Sequence, residues 1–214
     1  PGPLLPGADL VACPGCYPTA TLLCLLPLAE QSLIEPRSVI IDAKSGASGA
    51  GRSLKEANLF CEVAEGLHPY GIGVHRHAPE IEQELSSRFG QSLAVTFTPH
   101  LVPMTRGELV TIYADITSGE SLKSVHAALA DRYQDEAFVT VRPLGSLPPD
   151  TRHVRGTNRC EISVHKDRVE GRVVIIGAID NLIKGSSGQA LQNINLMYGW
   201  DEGLGLDTLQ PLFP

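Results

Sequence analysis

The 214-residue chain has no Gly-x-Gly-x-x-Gly among its 21 glycines and no Gly-x-x-x-x-Gly-Lys-[Ser/Thr]. It therefore carries no phosphate-cradling βα turn of its own. It has no basic surplus either: 17 Lys+Arg against 24 Asp+Glu give a formal net charge of −7. That balance argues against a nucleic acid or an anionic membrane as the main partner. The longest apolar run, residues 22–28, contains Pro27 and is far too short to span a bilayer. No charged n-region or apolar h-region opens the chain, so no signal peptide is expected. The first residue is not Met, and residues 1–7 look like a loop beginning in mid-air, which points to a piece of a longer protein.

What is present is a globular composition, with 43% apolar and 19% charged residues, enough to bury a core. The five cysteines are an odd number in a mid-sized chain, which suggests reduced thiols in the cytoplasm rather than a disulfide framework. No repeat or low-complexity tract appears. Residues 17–30 predict a helix that starts after Pro-Gly-Cys and that Pro27 bends or shortens. Residues 38–43 read as a buried strand running into the glycine-rich loop 45–52. Residues 62–78 look irregular, and Pro79 then opens a helix that Gly90 ends. Strands are expected at 95–98 and 108–116, where Val110, Ile112, Ala114 and Ile116 alternate with more polar neighbours. A helix over 121–133 aligns Leu122, Val125, Leu129 and Tyr133. Strands follow at 138–142, 160–165 and 172–179, the last two close enough to form an antiparallel hairpin. A helix over 181–198 closes residues 1–200, and the tail 201–214 is expected on the surface. The class is α+β with a mixed, largely antiparallel sheet.

Cys13-Pro14-Gly15-Cys16 admits several readings. Cys-x-x-Cys can be a redox pair or half a zinc site. No second Cys-x-x-Cys exists for zinc, and no thioredoxin-like βαβ pattern surrounds it. Alternatively, Cys16 is a single nucleophile at a helix N-terminus, where the macrodipole lowers its pKa and free N–H groups can hold an oxyanion. A buried inert thiol remains open, as is expected for Cys24. In the stretch 70–81, alternation points His75 and His77 to one side and Arg76 to the other, suiting an acid/base pair, a metal or a solvated loop. His68, His126, His153 and His165 carry no such signal. The loop 45–52 can be an anion-binding nest or a flexible turn. Arg106 can bind a carboxylate or phosphate, or simply lie at the surface. Asn181 can offer its amide to a ligand.

Five stretches together resemble the N-acetyl-γ-glutamyl-phosphate reductases, NADPH-dependent enzymes of arginine biosynthesis. They are PGCYPTA (14–20), SGASGAGR (45–52), HPYGIGVHRHAPEI (68–81), FTPHLVPMTRG (97–107) and AIDNLIKGSSGQALQNINLMYGW (178–200). The resemblance implies an N-terminal Rossmann domain followed by a glyceraldehyde-phosphate-dehydrogenase-like catalytic domain, of which this chain matches the second. A missing glycine fingerprint is what such a division would leave, and residues 181–198 would pack toward the Rossmann part. NADP would then be bound mainly outside this chain, so the chain alone should bind it weakly and be inactive. Cys16 would attack the acyl phosphate to give a thioester, which NADPH reduces to the semialdehyde. His75 or His77 would be the acid/base, and Tyr70 and Arg106 would bind substrate. Ser45, Gly46, Asn181 and Gly188 would lie toward the cofactor, with no metal. A homo-oligomer, dimer or tetramer, is implied.

Cys13 departs from the family, which usually has Asn there, so catalysis can be weaker. Cys13 can also trap Cys16 as a disulfide; a two-mass-unit gain under peroxide, absent in Cys13→Ser, would support this. The rivals are an aspartate-semialdehyde dehydrogenase or its carrier-bound aminoadipate relative, a non-catalytic dimerisation module, and a zinc or redox binder on Cys13 and Cys16.

Overall fold

Helix α1 (Cys16–Glu30) is apolar on nearly every side, so it must be enclosed, and eleven of its residues are buried. Pro18 lies in the first turn, where its missing N–H costs nothing. Pro27 lies in the interior and leaves the Leu23 carbonyl without its helical donor. The Tyr133 hydroxyl supplies one at 2.8 Å. The helix therefore runs through to Glu30 instead of shortening at Pro27, as the sequence alone suggests. The computed structural model describes residues 5–211; the first four residues of the expected N-terminal loop and residues 212–214 of the tail lie outside them.

The remaining elements are β1 (Ile40–Gly46), α2 (Phe60–Val63), β2 (His68–Pro69), α3 (Ala78–Phe89), β3 (Thr96–Val102), β4 (Glu108–Asp115), α4 (Leu122–Tyr133), β5 (Val139–Val141), α5 (Thr151–Val154), β6 (Cys160–Lys166), β7 (Arg172–Ile179) and α6 (Gly188–Met197). One π-helical turn (Ile183–Ser187) precedes α6, splitting the single helix expected over 181–198. The strands form one seven-stranded sheet in the order β2-β3-β1-β4-β7-β6-β5. β1 runs parallel to β3 and β5 to β6, while the other pairs are antiparallel. The expected α+β class and the β6–β7 hairpin are both present.

One face of the sheet is the core. Ile41 and Ala43 of β1, Val110, Ile112 and Ala114 of β4, and Val173 and Ile175 of β7 are all fully buried. They meet Leu25 and Leu28 of α1, Ile81 and Leu85 of α3, and Val125 and Leu129 of α4 in one cluster. Ser121 caps α4 through a reciprocal box with Ser124, fixing where that helix begins. The alternate residues Ile40, Leu109, Tyr113, Val174 and Ile176 occupy the opposite face and stay partly exposed. The tail is not simply a surface coil. Asn195 Nδ2 donates to the carbonyls of Glu202 and Leu204, at 3.0 Å each, and Leu206 is buried.

Candidate functional site

β1 ends, β4 begins and β7 ends at the same edge of the core, with Ser45 opposite Glu108 and Glu108 opposite Ile179. The N-terminus of α1 arrives there, with Gly15 as cap and Cys16 as first helical residue. Close approach depends on glycine. A Cβ on Gly185 would lie 2.7 Å from the Cys16 Cβ, and one on Gly15 would lie 2.4 Å from His77 Nε2. The Gly15 N–H donates to Glu80 Oε1 at 3.1 Å, tying the start of α1 to α3.

His75 and His77 do come together, their ring centroids 4.9 Å apart, and Tyr17 and Phe97 pack edge-on against them. The His77 backbone N–H donates to His75 Nδ1 at 3.2 Å, so the neutral His75 ring carries its proton on Nε2. The Tyr70 hydroxyl donates to that of Tyr17 (3.2 Å), which donates to the His100 carbonyl (3.3 Å). A cavity of about 1010 Å³ opens over these groups. Its lining includes residues 13–17, Ser45, residues 48–51, Lys55, Tyr70, residues 74–77, Asn181 and residues 185–187.

Three of the residues expected at the site do not line this cavity. Arg106 Nη2 donates to Asp180 Oδ1 at 3.3 Å, drawn aside by a buried carboxylate. Gly46 packs on the backbone of residues 104–106, and Gly188 packs against Asn158 and Ile183; both are glycines because a Cβ would collide. Asn181 lines the cavity, but both ends of its amide are already engaged. Its Oδ1 accepts from the Gly107 N–H at 2.8 Å, and its Nδ2 donates to Ser48 Oγ at 3.0 Å.

The electrostatics differ from the expected low-pKa thiol. Burial, then the Glu108 carboxyl, hold the Cys16 thiol well above its ordinary value, outweighing the helix N–H groups that favour the thiolate. His75 is lowered by burial and Arg76, and His77 is brought down to about 4 by burial, His75 and Arg76. Burial raises both Tyr17 and Tyr70. Sequence reasoning missed Glu108, which is fully buried and pushed up to about 8 mainly by burial, with Asp180 adding to the effect. Its signal was available: Glu108 has the same parity as Val110, Ile112 and Ala114, and so belongs to the buried face. All five cysteines are free, and among the described residues no cluster of three His, Cys, Asp or Glu side chains could hold a metal.

The family model described as semialdehyde dehydrogenase, dimerisation domain, matches residues 16–181. A Rhodospirillum rubrum protein named N-acetyl-gamma-glutamyl-phosphate reductase is 59% identical over 97% of this chain and 58% of its own length. A Geobacter metallireducens protein of the same name is 54% identical over 97% of this chain and 60% of its own. An Arabidopsis thaliana protein named as a probable chloroplastic form is also 54% identical, over 97% of this chain and 51% of its own. The chain thus spans half to three fifths of these relatives. The crystal structure of aspartate semialdehyde dehydrogenase II from Vibrio cholerae shares the fold at a TM-score of 0.69 and 17% identity, covering 87% of this chain and 61% of that one.

Proposed function

The chain belongs to the family of semialdehyde dehydrogenase dimerisation domains, and on that premise we propose that it is the catalytic part of an NADPH-dependent reductase. The substrate is N-acetyl-γ-glutamyl phosphate, reduced to the semialdehyde in arginine biosynthesis. The names of relatives 54–59% identical over 97% of the chain support this substrate. The carrying observation is the thiol of Cys16 at a helix start, inside one cavity with His75, His77 and Tyr70.

Cys16 attacks the acyl carbon and phosphate leaves, giving a thioester. The free N–H groups of the first turn of α1 face the oxyanion that forms on the way. Neutral His75 and His77 donate hydrogen bonds to that oxygen while it carries negative charge and release it as the carbonyl re-forms, so no proton remains on the aldehyde. Tyr70, held by Tyr17, contacts the substrate. Arg106 supports the site from beside it, neutralising Asp180. A nicotinamide fits the cavity wall made by Ser45, residues 48–51 and residues 185–187, where small side chains leave room. When bound, it supplies a hydride. With no Gly-x-Gly-x-x-Gly turn in this chain, its pyrophosphate is held by residues beyond it. The chain alone therefore binds NADPH weakly and turns over no substrate.

The partly exposed sheet face bearing Leu109, Tyr113, Val174 and Ile176 is where two copies associate, in keeping with the family's description as a dimerisation domain. Among the described residues, no helix is long and apolar enough to cross a membrane. Five free thiols suit a reducing, cytoplasmic setting.

Acetyl phosphate, as the simplest acyl phosphate, tests the nucleophile. Peptide mass spectrometry should find a hydroxylamine-labile acetyl group on Cys16, absent in Cys16→Ser and unchanged in Cys13→Ser. Acetylation at Cys13 or Cys61 instead would overturn the assignment. His75→Ala and His77→Ala, compared separately, name the histidine that matters.

A further inference from the structure

Glu108 is an unexplained expense in the fold. It is the first residue of β4, its side chain is wholly buried, and neither carboxyl oxygen has a formed hydrogen bond. A carboxyl buried in this way is costly, and the steps assigned above do not use it. Among the described residues, no side chain donates a hydrogen bond to either oxygen. The titratable groups facing it are Cys16 and Tyr17 from α1, Tyr70, Cys160 from β6, and Asp180 after β7. Among them, the Cys16 thiol is a hydrogen-bonding neighbour of the carboxyl, in a contact too loose to satisfy either oxygen. Catalytic hydrogen bonds are often this loose before substrate binds.

We propose that Glu108, lying behind Cys16 and outside the lining of the cavity, takes the thiol proton as Cys16 attacks. It returns that proton when the sulfur leaves. The inference rests on Cys16 being the nucleophile. In the step, the S–H bond breaks as the S–C bond forms, and the proton moves to a Glu108 oxygen. The carbonyl π pair goes to oxygen and then returns to expel phosphate, which takes one proton from solvent as it leaves. When the C–S bond of the thiohemiacetal later breaks, the sulfur recovers its proton from Glu108, so no charge or electron is left over. Glu108 never meets the substrate and acts only through Cys16.

The histidines are poorly suited to this task. His77 is held at about 4 and His75 is also lowered, so both are weak bases. Glu108, held at about 8, becomes ionised and able to accept the proton as conditions turn slightly alkaline. A thiol held above its ordinary value needs such a base close by, since almost none of it ionises unaided.

The test is the rate of iodoacetamide labelling at Cys16 from pH 6 to 10, resolved by peptide mass spectrometry. In the wild type the rate should rise about tenfold between pH 7 and 9 and then level off, following ionisation of a carboxyl near 8. In Glu108→Gln and Glu108→Met the levelling should vanish, leaving a continuous rise with thiolate concentration. The same inflection in either variant overturns the proposal. If Cys16 labels no faster than buried Cys24 and Cys160, the nucleophile assignment itself fails, and the two failures are thereby distinguished. Should both variants unfold, infrared titration of the wild-type buried carboxyl decides. Its protonated band should disappear around pH 8, and Cys16→Ala should move that midpoint upward by removing the thiol donor. A midpoint that does not move refutes the coupling.

Discussion

Replacing Glu108 with Gln should change how the stability of the fold depends on pH. In the unfolded chain this carboxyl ionises near its ordinary 4.5, whereas in the fold it keeps its proton up to about 8. Between those values the folded state binds the extra proton, so stability falls as pH rises and the loss is complete above about 8. At about 1.4 kcal/mol per pH unit, the full loss is about 5 kcal/mol, a large share of the 5–15 kcal/mol typical of a domain. His77, held at about 4, works in the opposite sense below 6.5, because the unfolded chain binds that proton more readily. The wild-type slope alone is therefore not diagnostic, but the difference between wild type and Glu108→Gln is. Urea melts at pH 5, 7 and 9 should show the variant gaining on the wild type throughout. The shift amounts to about 2 M in midpoint, with a slope of about 2 kcal/mol/M. Parallel wild-type and variant curves across this range would refute the reasoning, because an uncharged Glu108 side chain at neutral pH would then be wrong.

Four further outcomes follow from single contacts. Gly185→Ala places a Cβ 2.7 Å from that of Cys16; overpacking of this kind costs about 1–3 kcal/mol, and both the thermal midpoint and Cys16 labelling should fall. Asp180→Asn weakens the acceptor that holds the N–H groups of Gly156 (2.6 Å), Leu182 (2.8 Å) and Ile183 (2.9 Å). Denaturant melts should register a loss of about 3 kcal/mol, since Arg106 also loses its counter-charge. Tyr133→Phe leaves the Leu23 carbonyl with no donor, because Pro27 cannot provide one; about 1–2 kcal/mol should be lost. Ile176→Asp, on the partly exposed sheet face, should yield monomers by light scattering with little change in the monomer's circular dichroism, and an unchanged oligomer would move the interface elsewhere.

The elements legible in the sequence are those with a local cause. β4 and β7 announce themselves by period and composition, and α4 by its one-sided spacing. Less legible are the features that depend on partners distant in the chain. Pro27 should bend or shorten α1, and only Tyr133, 106 residues away, explains why the helix continues to Glu30. β1 extends through Gly46 into what reads as a glycine loop because β3 and β4 pair with it on both sides. β2 is two residues long and has no signature beyond its pairing with β3. In the site, Cys16, His75, His77 and Tyr70 can be found because reactive residue types stand beside turn-forming ones. Arg106 and Gly188 look equally suggestive, yet their contacts are with Asp180, Asn158 and Ile183. Glu108 was overlooked because an acidic residue at a strand start resembles a solvated turn unless its parity is followed.

The meeting of Ser45, Glu108 and Ile179 in one cross-strand row also bears on when function arises during synthesis. Cys16 is made early, but its neighbours Glu108 and Gly185 emerge much later and join it through non-local pairings, which form slowly. The first half of the chain by itself lacks both Glu108 and Gly185, which neighbour the thiol in the fold. Until β7 docks, Cys16 is an open, solvated cysteine with an ordinary affinity for protons. The nascent chain is thus spared premature chemistry, but it is exposed to adventitious alkylation or oxidation for as long as its last strand is delayed.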